Sequence, residues 1–264
     1  MPKTYTGNEN IDQYLRRNID PDFQIDDVGY YWQDYFLDYL RRVGSKEDIE
    51  YVMKQYFGEE RLKQETNNNI IVTIVRLGYC LDYFSKINNV RIRTAIAKQG
   101  HNVNLFTHDS HPDVRMQVAK QKQALPILMH DPSNAVRKIV AQTGYHLDYF
   151  ANDPDLDVRY TVVKQGHKPE LFKDDPSPKI RRFLAQKGLF LEHYVNDQYA
   201  MVREIVALRG VGLDTLIYDK NEDIRFQIAQ QGYRPDILIH DENLAVREEA
   251  AKHLKKAQSI DTLY

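Results

Sequence analysis

The residues with the clearest capacity for chemistry are histidines that directly precede aspartates. Such dipeptides occur at His108-Asp109, His130-Asp131 and His240-Asp241. Adjacent imidazole and carboxylate groups are found in metal-dependent phosphohydrolases, because both can bind divalent cations and move protons. The first two dipeptides are 22 residues apart, and aspartate recurs at this spacing where the histidine does not. We therefore predict that these aspartates cap helices and that no metal is bound.

Arginine offers a second candidate chemistry, the binding of phosphate groups. It stands at eight positions that are 22 residues apart: Arg93, Arg115, Arg137, Arg159, Arg181, Arg203, Arg225 and Arg247. An aspartate lies six residues before each of them except Arg93, where Ile87 takes its place. Guanidinium and carboxylate groups form strong charge-assisted hydrogen bonds. We predict a structural role for these residues, in which such bonds hold adjacent repeats in register, rather than phosphate binding.

The 22-residue period extends to the residues around each arginine. Val or Ile precedes it, an aliphatic residue or alanine follows three residues later, and alanine follows four residues later in seven of eight copies. This spacing places the apolar residues on one side of an α-helix. Glycine seven residues after the arginine can end that helix in the left-handed conformation. We predict a helix of about 12 residues with the aspartate as N-cap, then a short apolar segment that suits one turn or a 3₁₀ helix.

A degenerate ninth copy around Ile71 extends the array, so we predict nine repeats over residues 64–261 and a tail at 262–264. The segment from Asp153-Pro154 through Val158-Arg159 to Val162-Val163 resembles the D-P-x-x-x-V-R-x-x-V-A signature of the variant leucine-rich repeats, which are HEAT-like helical repeats. The resemblance covers about three quarters of the chain. It implies an all-α fold, a right-handed α-solenoid of about nine helix–short-helix repeats.

One relative in that family holds an iron–sulfur centre with a cysteine cluster that precedes its repeats. Cys80 is the single cysteine of this chain, so that cofactor is not expected here. We predict no cofactor of any kind and no catalytic residues, because no nucleotide-binding or hydrolase motif occurs.

Residues 1–63 do not follow the repeat and are predicted to form a helical N-terminal cap. Residues 1–60 contain 12 of the 29 aromatic residues, and 7 Lys+Arg against 13 Asp+Glu. The cap either seals the first repeat or provides a separate recognition or dimerisation surface, because Tyr and Trp are enriched at interfaces. The residues of that second surface would be Tyr31, Trp32, Tyr35 and Tyr39.

The long helices are predicted to carry basic and apolar residues on the side opposite the core, which the resemblance makes the concave face. We call this side the ridge, and its candidate binding residues are Lys98, Lys120, Lys138, Tyr160, Lys164, Arg182, Phe183, Lys187, Ile205, Arg209 and Phe226. Such a surface suits an extended ligand. The competing interpretation is an ordinary solvated surface with scattered apolar residues.

The net charge and the absence of targeting signals exclude some classes of function. The 264 residues hold 36 Lys+Arg and 38 Asp+Glu, a net charge of −2, which excludes a uniformly basic nucleic-acid coat. The sequence has no signal peptide, lipidation motif or membrane-spanning apolar run, so we expect a cytoplasmic protein that does not contact membranes.

We predict a non-catalytic interaction or scaffold protein that binds a partner polypeptide along the ridge or through the cap. The alternative is nucleic-acid binding, because HEAT-like DNA glycosylases have a similar architecture and use a basic concave face. A third option is a solenoid that positions the active site of another protein.

Overall fold

The computed structural model describes residues 59–66 and 68–261. Over this range the chain is helical and contains no strand, which confirms the all-α prediction. The packing divides at Thr143 and Gly144 into two compact parts, which we call the N-terminal body and the C-terminal body. The predicted cap surface of Tyr31, Trp32, Tyr35 and Tyr39 lies outside the described residues.

In the N-terminal body, long helices alternate with short ones. The long helices are α2 (Asn68–Arg76), α4 (Val90–Ala97), α6 (Pro112–Lys120) and α8 (Asn134–Gln142). The short helices are α1 (Glu59–Leu62), α3 (Leu81–Phe84), α5 (Val103–Thr107) and α7 (Leu125–Leu128). Each long helix packs against the next long helix, so the 22-residue sequence period becomes a repeated packing unit.

The C-terminal body repeats this pattern. Its long helices are α10 (Leu156–Lys164), α11 (Pro178–Gln186), α13 (Ala200–Leu208), α15 (Glu222–Gln230) and α17 (Leu244–Asp261). Its short elements are α9 (Leu147–Phe150), a 3₁₀ helix (Pro169–Phe172), α12 (Leu191–Tyr194), α14 (Leu213–Leu216) and α16 (Pro235–Leu238). Packing again joins successive long helices, from α11 through α13 and α15 to α17.

The core is built from the positions that the period predicts. In α8, for example, Val136, Val140 and Ala141 are fully buried, at one position before and three and four positions after the repeat arginine. The last residue of each short element also points into the core, as Phe150 and Phe172 do with no exposed surface. Burying such a side chain contributes about 1.5–3 kcal/mol. No repeat buries these side chains alone, so stability depends on the stack.

The prediction that the repeat aspartate is the helix N-cap is wrong. The side chain of Asp131 accepts a hydrogen bond from the amide of Ser133 at 2.8 Å, and Ser133 is the extended residue that precedes α8. The aspartate therefore closes a turn two residues before the cap. The long helix consequently has nine residues in most repeats rather than about 12.

The prediction for the short segment needs a smaller correction. It is a single turn in every described repeat, but only Pro169–Phe172 is a 3₁₀ helix and the others are α-helical. From α3 onwards, the residue before each short element has a left-handed conformation, with φ of 51° at Ala124 and 58° at Phe190. The glycine that follows the long helix is also left-handed, as predicted, with φ of 78° at Gly188. Two left-handed residues per repeat thus reverse the chain between helices.

The predicted pairing of arginine with aspartate is confirmed, with one detail that the sequence left open. Arg115 donates from Nε and Nη2 to the carboxylate of Asp131 in the next repeat, at 2.6 and 2.8 Å. Its Nη1 donates to the backbone carbonyl of Asp109 in its own repeat at 2.7 Å. The arginine therefore bridges the turns of two successive repeats.

Five further pairs have this geometry, one in the N-terminal body and four in the C-terminal body. They are Arg93–Asp109, Arg159–Asp175, Arg181–Asp197, Arg203–Asp219 and Arg225–Asp241. In all six pairs the arginine side chains are 6–11% exposed and the aspartate side chains 3–7%. Charges this deeply buried must be paired, so the pairs act as a structural ladder.

Candidate functional site

The structure places the candidate ridge residues on the long helices or directly after them, and all but one have solvent-exposed surface. Lys98, Lys120, Lys164, Lys187 and Arg209 are exposed, and Lys138, Tyr160, Arg182, Phe183 and Phe226 are half-buried. Ile205 is the exception, because its side chain is buried with 7% of its surface exposed. The prediction that Ile205 lies exposed on the ridge is therefore wrong.

The reason for this error is visible at equivalent positions in other repeats. Ile205 stands two residues after its repeat arginine, and Phe183 and Gln227 occupy the same position. Phe183 packs edge-to-face on Tyr160 of the preceding repeat, and Gln227 donates a hydrogen bond to Glu204 of the preceding repeat at 3.5 Å. Side chains at this position pack towards the preceding repeat, which buries Ile205 and leaves Phe183 and Gln227 half-buried. An isolated helical wheel cannot show this, because it contains no neighbour.

An aromatic and basic cluster forms on the ridge of the C-terminal body. Tyr160 of α10 and Phe183 of α11 stack edge-to-face with ring centroids 5.5 Å apart. The ammonium groups of Lys179 and Lys164 lie 4.7 and 5.6 Å from the Tyr160 ring centroid, and Lys187 lies 5.6 Å from that of Phe183. The sequence pointed to four of these five residues and missed Lys179. We call these five residues the aromatic cluster.

The ridge of the N-terminal body contains a basic groove of about 770 Å³ across α2, α4 and α6. Lys98 and Lys120, both candidates from the sequence, lie on its wall. Arg76 and Arg91 also line it, and the sequence interpretation missed both. Arg76 belongs to the degenerate first repeat and Arg91 lies two residues before a repeat arginine, so only the packing of three helices brings the four together.

The ridge of the C-terminal body loses its net positive charge after α13. Arg209 follows α13, and its guanidinium donates to the backbone carbonyl of Gln186. Beyond it, the long helices carry acidic residues on or beside the ridge, namely Glu222, Asp223, Glu248 and Glu249, and the exposed Lys252 is paired with Glu249 at 2.5 Å. Phe226 therefore lies among acidic side chains of its own helix, unlike the aromatic cluster.

The aspartates of the His-Asp dipeptides belong to the ladder. Asp109, Asp131 and Asp241 each accept hydrogen bonds from a repeat arginine and from a backbone amide two residues later. Among the described residues, no three His, Cys, Asp or Glu side chains are grouped so that they could hold a metal ion. Cys80 is buried, and burial raises the pKa of its thiol, which disfavours the reactive thiolate.

In three ladder pairs of the C-terminal body, the pairing lowers the pKa of the carboxylate. Burial alone would raise the pKa of Asp219, but hydrogen bonds from Arg203 and from the Asn221 amide outweigh it, and the pKa lies below its ordinary value. The same causes lower the pKa of Asp197 and of Asp241. These groups are therefore ionised and bound to arginine at neutral pH, and they have no role as proton donors.

A second exposed row, on the short helices, was not predicted. Tyr83, Leu105 and Ile127 of the N-terminal body are 49%, 52% and 52% exposed, and Tyr149 and Leu171 of the C-terminal body are 45% and 51% exposed. Each directly precedes a buried core residue, so each of these short elements has two adjacent apolar residues of which the first is exposed and the second is buried. We call these five residues the short-helix row, and they offer a matched control surface for the ridge.

We compared the chain with protein-family models, curated proteins and solved structures, and none of the three comparisons gave a match. None of the described helices is long and apolar enough to cross a lipid bilayer.

Proposed function

We propose that this protein is a non-catalytic interaction protein whose ridge binds a partner polypeptide. The observation that carries the proposal is the aromatic cluster. Tyr160 and Phe183 are partly exposed and held in place by each other and by three lysines. Rigid aromatic side chains provide contact area at a low cost in conformational entropy, and they are common among the residues that dominate binding energy.

The architecture we propose is a right-handed α-solenoid of variant leucine-rich, HEAT-like repeats. The packing of α2, α4, α6 and α8 on one another and of α11, α13, α15 and α17 on one another supports it, as do the ladder pairs that join successive repeats. Repeats that contact their neighbours in this way give an extended surface without an enclosed site, which suits binding better than catalysis. A single buried cysteine is compatible with a reducing, cytoplasmic setting.

Nucleic-acid binding is the second candidate, because the four basic side chains of the N-terminal groove favour a polyanion. The ladder arginines cannot contribute to it, since their guanidinium groups are bonded within the protein. A salt titration separates the two candidates. Contacts to several phosphates would make the binding constant of a DNA duplex fall steeply with salt, whereas absence of binding at low salt excludes this function.

The polypeptide proposal is tested by photo-crosslinking in the cells that make the protein. A photoreactive amino acid replaces Gln186, an exposed residue of α11 close to the aromatic cluster. We expect a crosslinked adduct that protease destroys and nuclease does not. The adduct should disappear in Tyr160→Ala/Phe183→Ala. It should also disappear in Lys164→Glu/Lys187→Glu, which changes only exposed lysines and so should preserve the fold.

The matched control is Tyr149→Ala/Leu171→Ala, which truncates two members of the short-helix row in the same body. This variant should retain the adduct. An adduct that persists in both ridge variants, or that only the control variant loses, would refute the proposal. Circular dichroism of every variant establishes that loss of the adduct does not reflect unfolding.

A further inference from the structure

The residues that line the basic groove of the N-terminal body indicate the chemistry of its ligand more closely than the ridge residues do. Its apolar lining, which we call the floor, includes Val72, Val90 and Ala95 of α2 and α4. Polar side chains of α6, including Gln117, form part of the wall. The groove crosses three successive long helices, so a ligand that fills it must be extended across the helix axes.

The charges around the groove are unbalanced. Four basic side chains, Arg76, Arg91, Lys98 and Lys120, face one acidic side chain, Asp113. The Asp113 carboxylate lies 3.7 Å from Nδ1 of His111, a residue that does not line the groove. Within the described part of the chain none of the four basic groups forms an ion pair, and Arg91 donates only to the neutral amide of Asn69. Such a concentration of like charge is unfavourable until an anionic ligand neutralises it.

The occupant that fits this groove is an acidic stretch of polypeptide in an extended conformation. Three helix axes that are about 8–10 Å apart span about 16–20 Å, which an extended chain covers with about six residues at 3.3 Å per residue. Alternate side chains of such a chain point to opposite sides, so apolar ones can contact the floor while acidic ones approach the basic wall.

Single-stranded nucleic acid fits the groove less well. Proteins that bind single strands combine a basic groove with aromatic side chains on which the bases stack. None of the residues that line this groove is aromatic. The apolar floor instead matches aliphatic side chains, and the half-exposed amide of Gln117 can bond a peptide backbone.

We infer that the basic groove binds an extended acidic segment of a partner polypeptide through Arg76, Arg91, Lys98 and Lys120. The inference rests on the proposed function, because it names the chemistry of the polypeptide that the ridge would receive. The charges of the groove should increase the rate of association and the selectivity for acidic segments, and both effects should weaken with salt. The aliphatic contacts should slow dissociation.

Fluorescence anisotropy of labelled probes with the full chain tests this inference. The first probe is a peptide of about eight residues that alternates Glu and Val, long enough to span the groove. The comparison probes are the corresponding Lys-Val peptide and an oligothymidylate. We expect the acidic peptide to bind, the basic peptide not to bind, and the oligothymidylate to bind more weakly than the acidic peptide.

The decisive variant is Arg91→Glu/Lys98→Glu, which reverses two charges of the groove. It should weaken binding of the acidic peptide about tenfold or more, because two attractive contacts become repulsive. The control Lys86→Glu/Lys122→Glu makes the same change in net charge at exposed residues of the same body outside the groove, and it should change affinity less than twofold. Equal losses in the two variants, or tighter binding of oligothymidylate, would overturn the inference.

This experiment separates the inference from the proposed function. If the acidic peptide does not bind while the photo-crosslink beside the aromatic cluster still forms, the groove assignment fails and the proposed function stands. If the peptide binds but the crosslinked adduct survives both ridge variants, the groove assignment stands and the role of the aromatic cluster fails.

Discussion

Neutralising one carboxylate of the ladder should destabilise the protein far more than breaking an exposed ion pair. In the pair of Arg203 with Asp219, Nε and Nη2 donate to the carboxylate at 2.5 and 2.8 Å, and the two side chains are only 6% and 4% exposed. Asp219→Asn keeps an oxygen that can accept the hydrogen bond of the Asn221 amide but removes the charge. The same oxygen also accepts from Nη2 of Arg203, and Nη1 keeps the backbone carbonyl of Asp197 at 2.7 Å. Nε, however, loses its carboxylate oxygen, and the buried guanidinium loses its counter-charge.

The size of the effect follows from the burial of the remaining charge. Removing one partner of a buried ion pair costs about 3–5 kcal/mol, and the retained hydrogen bond places Asp219→Asn near 3 kcal/mol. With a urea dependence of about 2–3 kcal/mol per molar, the unfolding midpoint should fall by about 1 M or more. Adding Arg203→Met should recover part of the loss, because the unpaired charge is then removed as well.

The control is Lys168→Gln, which breaks a pair between Lys168 and Asp148 of similar length, 2.8 Å, with side chains 50% and 61% exposed. Exposed pairs contribute little in water, so its unfolding midpoint should match that of the wild type. Urea denaturation followed by circular dichroism measures both variants. A shift for Asp219→Asn no larger than that for Lys168→Gln would show that the ladder does not hold the repeats together.

Three further predictions concern the backbone and pH. Ala124→Gly should leave stability unchanged or raise it by up to about 1 kcal/mol in thermal unfolding, because Ala124 has a φ of 51°, whereas Ala135→Gly in α8 should lower it. Gly212→Ala should cost about 1–3 kcal/mol, since a Cβ there would lie 2.5 Å from a methyl carbon of Val195. Because the folded-state pKa of Asp219 is lowered, its contribution is complete above about pH 4 and is lost as the pH falls further. Acid titration of Asp219→Asn should therefore show a shallower loss of stability below pH 4 than the wild type.

The period of the sequence was sufficient to predict the core and the ladder. Positions such as Val136 and Val140 recur at fixed distances from an arginine, and their burial follows from helical geometry alone. The involvement of the repeat aspartates is also predictable, because one recurs at the 22-residue period, but the sequence does not show that each arginine pairs with the aspartate of the next repeat, as Arg115 does with Asp131. Each of these features depends on which residue type occupies one position of the repeat, and the sequence contains eight copies of that position.

Other features depend on conformation or on neighbouring repeats, and the sequence does not show them. The left-handed residue before each short helix is Ala124 in one repeat, Phe190 in another and Gly212 in a third, so no residue type marks it. The sequence predicts an N-cap at the aspartate because the turn before the helix has the same residue preferences as the cap itself. Ile205 was misplaced because its burial comes from a neighbouring helix.

The candidate site was only partly predictable, because it also depends on neighbouring repeats. Lys98 and Lys120 stood out as exposed residues of single helices, but the groove also requires Arg76 and Arg91, which occupy other positions of their repeats. A groove across three helices is a property of their packing. The charge of Arg91 indicates an anion-binding groove only because no residue of the described chain forms an ion pair with it, and the sequence does not show this.

Photo-crosslinking from position 186 tests most directly whether the ridge receives a polypeptide. We predict an adduct whose added mass is protein, that forms in the wild type and in Tyr149→Ala/Leu171→Ala, and that is absent from Lys164→Glu/Lys187→Glu. An adduct that contains nucleic acid, or one that forms equally well after both lysines of the aromatic cluster have been reversed, would contradict the assignment of the ridge as a polypeptide-binding surface.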